Sequence, residues 1–263
     1  MLDIGNAMLW IEEAGNGRPI VCVSGLDGRA ALWRSQVPTL AALGHVVSFD
    51  QRGVGRSSPS AIRYSTTQMA EDLLSVLDAL GFEAATLVGH GMGSAVALEL
   101  AITHPGRVDR LVLVAPWPER TESMRVAGEL MQALLERCPV EDFLRFDLLR
   151  SAPPGWWDAR PGLLPEHLDE RRAAVLSPAL ELARMRAADA FAARPWMANL
   201  RVPALVIAAA DDQVVACEAS RQVARSLPKA RFERLEHGGH LCLRHRARDV
   251  QALLAGFLGG PAT

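Results

Sequence analysis

Short apolar runs alternate with amphipathic stretches along this chain. Seven runs read as strands: 7–12, 19–24, 46–50, 85–88, 111–115, 204–208 and 230–235. Val46-Val47-Ser48-Phe49, Leu111-Val112-Leu113-Val114 and Leu205-Val206-Ile207 are nearly all apolar, as expected of central strands covered on both faces. Between them, 31–43, 67–80, 92–103, 217–226 and 247–257 read as helices. In the second, Met69, Leu73, Val76, Leu77 and Leu80 recur at three- and four-residue spacing, and Gly81 follows as a stop signal. This alternation predicts an α/β fold, with a mostly parallel sheet flanked by helices.

The stretch 118–199 breaks the pattern. Helical patches at 123–138, 140–149, 165–176 and 178–193 are separated by Pro153-Pro154-Gly155 and Arg160-Pro161-Gly162, with no strand among them. It reads as a helical cap inserted into one domain spanning 1–263. Gly259 to Thr263 reads as a frayed tail.

Composition narrows the class without naming a chemistry. The 263 residues are 49% hydrophobic, and 28 basic side chains are mixed with 30 acidic ones, which argues against nucleic acid as a partner. A chain of this length buries about 70–75% of its unfolded surface. Cys22, Cys138, Cys217 and Cys242 are scattered without metal-ligand spacing and read as free thiols in a reducing compartment. The N-terminus has no secretory pattern, and no run approaches the ~20 apolar residues of a membrane span. The expectation is a cytoplasmic protein with no membrane partner, no metal and no organic cofactor. A homodimer stays open.

Four motifs carry candidate chemistry. Ser24-Gly25-Leu26-Asp27-Gly28, with Trp33 beyond it, forms a glycine turn after an early strand. Asp50-Gln51-Arg52-Gly53-Val54-Gly55-Arg56-Ser57 follows the next strand. Leu87-Val88-Gly89-His90-Gly91-Met92-Gly93-Ser94 has the spacing of a G-x-S-x-G nucleophile elbow, with Gly91 where the serine belongs. Asp211-Asp212 and Gly238-Gly239-His240 complete the set. In this order the four resemble the α/β-hydrolases, whose nucleophile, acid and His follow one another along the chain.

That resemblance implies roles. His240 is a general base, and Asp212 fixes its tautomer. Asp211 competes for the acid role, although the family pattern places it at Asp212. The backbone N–H groups of Met92 and Leu26, the latter beside Gly25 and Ser24, form a hole for an anion or carbonyl. His90, His237 and Ser94 read as structural, and Ser24 as a weak candidate for a substitute nucleophile. The pocket, beneath Trp156, Trp157 and Trp196, is expected to be small and otherwise mostly apolar. Its ligand is a small molecule carrying a carboxylate or carbonyl.

Glycine at the elbow relieves the strain of a positive φ. A decayed site, an engineered Ser→Gly change, or room for a water or substrate beside His240 would all leave this pattern. Retention of Asp212 and His240 favours the last.

The chain also resembles the RutD-type aminoacrylate or carbamate hydrolases of bacterial pyrimidine utilisation, which lack the elbow serine and carry alanine in at least one member. The similar stretches are Val23-Ser24-Gly25-Leu26 with Trp33, Asp50-Gln51-Arg52-Gly53, Val88-Gly89-His90-Gly91, Asp211-Asp212 and Gly238-Gly239-His240-Leu241-Cys242. Trp157 to Arg160 and Arg186 to Phe191 add to them in the cap. Gly91 in place of alanine, and a cap richer in Arg, Pro and Trp, depart from the family. The resemblance implies hydrolysis of a carbamate or of 3-aminoacrylate by base-activated water. Two other readings remain: a lyase, isomerase or cyclase in which His240 takes a proton from substrate, and a silent ligand-binding protein.

Overall fold

The computed structural model describes residues 1–59, 63–174 and 177–260. Strands β1 (Leu2–Asp3) and β2 (Met8–Leu9) form a small antiparallel ribbon. The main sheet contains β3 (Ile11–Ala14), β4 (Pro19–Val23), β5 (His45–Phe49), β6 (Ala85–His90), β7 (Val108–Val114), β8 (Ala204–Ala209) and β9 (Ala230–Leu235). Its order is β3-β5-β4-β6-β7-β8-β9. Only β3 runs antiparallel to its neighbour. This is the α/β architecture that the alternation predicts.

The pleat sorts the core into two layers. Val21, Val23, Leu87, Leu111 and Leu113 face a layer with α2 (Thr66–Ala79), α3 (Met92–Thr103) and α9 (Cys217–Ser226). Ile20, Cys22, Val88, Val112 and Ile207 face Trp33, α1 (Val37–Ala41), α10 (Cys242–His245) and α11 (Ala247–Leu258). β6 and β8 are buried at every residue. Edge strand β9 instead carries Arg231, Glu233 and Arg234, which blunt it against pairing with another chain.

Between β7 and β8 lie α4 (Glu122–Arg137), α5 (Val140–Ser151), α6 (Leu163–Ala174), α7 (Pro178–Asp189) and α8 (Arg194–Met197). Met131, Leu135, Phe143, Leu144 and Met185 give this insertion a small core of its own.

Several expected elements differ. The 7–12 run splits at Trp10, because β2 pairs with β1 while β3 pairs with β5. The 31–43 helix is a 3₁₀ turn (Ala30–Trp33) followed by short α1. Pro38 lacks the N–H needed mid-helix and instead sits in the first turn of α1. The helix expected at 178–193 ends at Asp189, before the separate α8. The tail is held as far as Gly260, because the Arg110 guanidinium donates to the carbonyls of Phe257, Leu258 and Gly260. The end predicted for the third insertion helix at Leu176, and the tail residues 261–263, lie outside the described residues. Among the described residues, no helix is long and apolar enough to cross a membrane.

Candidate active site

The strand order fixes where a site can form. From β4 the chain moves outward to β5, whereas from β6 it moves the other way to β7. The carboxyl ends of β4 and β6 are adjacent, so their loops part and leave a crevice. The glycine turn after β4 and the elbow after β6 both open into it.

At the elbow, Gly91 has φ +52° and ψ −120°. Its N–H donates to the Val114 carbonyl at 2.8 Å, and its own carbonyl accepts from Ser94 at 2.9 Å. The flanking glycines are required by packing. A Cβ on Gly89 would meet the Gly93 carbonyl at 2.5 Å, and one on Gly93 would overlap the Val23 carbonyl. Gly91 is different: a Cβ there would meet only the His240 ring, at 3.1 Å from Nε2 and 3.5 Å from Cε1. His240 Nε2 therefore faces the space a serine side chain would occupy.

The other ring nitrogen is anchored. His240 Nδ1 lies 2.9 Å from Asp212 Oδ2 and donates to it, which leaves the Nε2 lone pair free toward Gly91. Asp212 is nearly inaccessible, and its Oδ1 accepts from the N–H groups of Val214 (2.7 Å) and Val215 (2.9 Å). Asp211 is not at the imidazole; its Oδ1 accepts from Gly239 N–H at 2.9 Å and holds the loop that carries His240.

The remaining candidates separate cleanly. His90 Nε2 donates to the His240 carbonyl at 2.9 Å and so fixes the backbone at His240. Burial pushes the His90 pKa down to about 4, and the neighbouring His240 adds to the effect. A buried His held neutral stabilises the fold above the unfolded value near 6.5, and that contribution is lost as pH falls toward 4. We expect unfolding free energy to drop across this window by at most about 3 kcal/mol from this group. Urea unfolding at pH 7.5 and 4.5 measures it. His90→Gln should flatten the difference, and an undiminished drop in that variant would remove His90 as its cause.

Ser94 is buried, and its hydroxyl donates to the Gly89 and Val114 carbonyls. His237 is exposed beside the Arg246 guanidinium. Ser24, expected beside the substrate, is instead fully buried outside the cavity. Its hydroxyl donates to the Arg29 carbonyl at 2.7 Å and accepts from Trp33 Nε1 at 3.0 Å. Gly25 and Leu26 do line the cavity. Met92 is the first residue of α3, so its N–H has no acceptor within the helix.

The crevice opens into a cavity of about 680 Å³ between the sheet edge and the insertion. It is not small, but its wall is mostly apolar as expected, with Arg29, Arg34, Arg150, Arg171 and Arg244 set in it against Asp27, Asp147 and Glu170. Trp156 and Trp157 are in its wall, whereas Trp196 is 57% exposed elsewhere on the surface. Trp156 lies between His245 and the Arg160 guanidinium, 3.7 Å from the latter.

One residue the sequence reading missed ties the insertion to the glycine turn. Arg184 of α7 is 1% exposed. It donates to the carbonyls of Leu26 (2.8 Å) and Gly25 (3.2 Å) and to Gln51 Oε1. No local pattern in the sequence marks it, because Arg184 shares its helix with Arg186 and Glu181 and reads as one more solvated charge. The Asp50 loop supports the same turn: Asp50 Oδ1 accepts from Ala30 N–H, and Gln51 Nε2 donates to the Ser24 carbonyl. Among the described residues, no three His, Cys, Asp or Glu side chains gather as a metal site.

Comparison with known proteins agrees with this fold. The profile of the alpha/beta hydrolase fold matches residues 18–243. A protein of Azorhizobium caulinodans named "Putative carbamate hydrolase RutD" is 33% identical over 97% of this chain and 96% of its own length. The protein of that name from Serratia proteamaculans is 30% identical over 95% and 96%. Among solved structures, the enol-lactonase of Burkholderia xenovorans LB400 superposes with a TM-score of 0.88 at 23% identity, covering 97% of this chain and 98% of that one. The chain belongs to the α/β-hydrolase fold family and, within it, to the RutD proteins.

Proposed function

We propose that this hydrolase acts without an acyl-enzyme, using His240 and Asp212 to activate water against a small carbonyl or enamine substrate. The observation that carries the reading is the His240 Nε2 lone pair facing the side-chain-free Cα of Gly91. A water seated over Gly91 is within hydrogen-bond reach of that nitrogen.

With a carbonyl substrate the water attacks the carbonyl carbon while Nε2 takes its proton; an enamine first takes a proton from solvent at the carbon β to nitrogen, and the water attacks the iminium carbon so formed. Asp212 stabilises the imidazolium so formed. With a carbonyl substrate, negative charge developing on oxygen is met by the N–H groups of Met92 and Leu26, helped by the dipole of α3. The C–N bond then breaks, and the proton on His240 passes to the leaving nitrogen. The RutD relatives make carbamate or 3-aminoacrylate the first substrates to assay.

The cavity volume favours a second reading. A space of about 680 Å³ lies in the range that encloses drug-sized ligands, far beyond a carbamate. A larger substrate, including one from which His240 removes a proton directly in a lyase, isomerase or cyclase reaction, fits that volume better.

His240→Ala separates enzyme from binding protein. Ammonia release from 3-aminoacrylate or carbamate should fall to background, while calorimetric binding of a substrate analogue persists. Unchanged turnover would remove His240 as the base. Absence of turnover on any ester, amide, carbamate or enamine by the unaltered protein would favour a binding role.

A further inference from the structure

Arg150, near the end of α5, is 9% exposed and lines the cavity. Among the described residues, its guanidinium makes one hydrogen bond, from Nη1 to the Met131 sulfur at 2.8 Å, and a thioether is a weak acceptor; its Cζ also lies 5.9 Å from the Phe146 ring centroid, which is no counter-ion. Among the described residues, no carboxylate lies within ion-pair distance of it. Of the other cations in the wall, Arg171 pairs with Asp147 at 2.9 Å and Arg244 with Glu170 at 3.7 Å. Arg29 and Arg34 have no ion pair among the described residues, but Arg29 is only half-buried and Arg34 is exposed, so Arg150 is the enclosed one. Burial draws the Arg150 pKa down, opposed by the fields of Asp147 and Asp212, so the guanidinium sits within electrostatic reach of the catalytic acid. Arginine nonetheless stays charged. A buried cation without a counter-ion is costly unless something completes it.

Three further donors on residues of the same wall lack acceptors, Arg29 Nε among them. Arg171 Nη1 and Trp156 Nε1 are both buried without a hydrogen-bond partner, and both residues line this cavity. An enclosed cation without a carboxylate partner, and unmet N–H groups on other residues of the same wall, describe half of an anion site.

We propose that Arg150 is the anion-recognising residue of this cavity, taking a substrate carboxylate with Arg171 Nη1 and Trp156 Nε1 as supporting donors. The planar guanidinium matches a carboxylate's two oxygens. The inference rests on reading this cavity as the substrate site. It also narrows the substrate to acids whose carboxylate is separate from the reacting carbon, since one group cannot lie on Arg150 and over Gly91 together. 3-Aminoacrylate has that arrangement; a carbamate, with a single carbon, does not.

Calorimetry with acrylate and its neutral isostere acrylamide tests the proposal. The unaltered protein should bind acrylate about ten- to a hundredfold more tightly, the usual difference for a charge-assisted hydrogen bond. Arg150→Met should lose the preference while keeping acrylamide affinity. It should also melt no lower than the parent, because it removes an uncompensated buried charge. Arg150→Lys should keep part of the preference. Equal binding of the two probes by the parent, or a preference that survives in Arg150→Met, would overturn the proposal. If Arg150→Met does not fold, Arg150→Lys carries the test, and full acrylate affinity there would overturn the fork. His240→Ala should keep the preference. A protein that prefers acrylate yet turns nothing over sinks the hydrolase reading alone, and turnover with KM unchanged in Arg150→Met sinks this one alone.

Discussion

Asp212→Asn should lower kcat by about three to four decades while leaving the fold and melting temperature close to the parent's. The amide can still accept at its oxygen, so the contacts from Val214 and Val215 N–H can persist. What changes is the partner of His240 Nδ1. A carboxylate accepts only, and it enforces a protonated Nδ1 with a bare Nε2. An amide can present its NH₂ instead, favouring the tautomer whose proton sits on Nε2 and cannot take one from water. Asp211→Asn is the matched control: its contact is the Gly239 N–H rather than the imidazole, and an amide oxygen can accept that bond too. Steady-state rates of the two variants decide the assignment. A larger loss in Asp211→Asn would reverse it.

Gly91→Ser should convert a protein that ignores serine-directed reagents into one that reacts with them. The added Cβ meets only the His240 ring, 3.1 Å from Nε2, a crowding that a shift of a few tenths of an ångström relieves. The hydroxyl would then lie beside a base already aligned by Asp212 and near the first N–H groups of α3. The cost is conformational. A side chain at φ +52° is strained by about 1–3 kcal/mol, and melting should fall accordingly. Stoichiometric phosphonylation with weak ester hydrolysis is the expected gain. A folded variant that stays inert would mean that the elbow is no longer disposed for attack.

The sequence made the framework legible where local chemistry and tertiary demand coincide. The apolar runs of β7 and β8 can only be central strands, and Gly89 and Gly93 are glycines because neighbouring carbonyls leave no room for a Cβ. The family resemblance paired His240 with Asp212, and the structure brings Nδ1 to 2.9 Å from Asp212 Oδ2 because the two follow adjacent strands at the same end of the sheet. It was silent wherever a partner is distant along the chain. Arg184 reaches Gly25, 159 residues away, and no local pattern announces the contact. The unmatched Arg150 was hidden for the same reason: a charge in an amphipathic insertion helix reads as solvated until the fold shows it enclosed. Ser24 was placed beside the substrate because it neighbours Gly25, yet its hydroxyl turns to Trp33 and the Arg29 carbonyl. Trp196 was grouped with Trp156 and Trp157 by residue type alone, and it lies outside.

The central claim is hydrolysis without a covalent serine intermediate, and intact-mass spectrometry of the unaltered protein tests it most directly. The protein would be treated with a fluorophosphonate and, separately, quenched during turnover of the substrate found to be active. An unshifted mass in both samples and full activity after the reagent are expected. A stoichiometric adduct on Ser24 or Ser94 with loss of activity, or an acylated mass trapped during turnover, would contradict it.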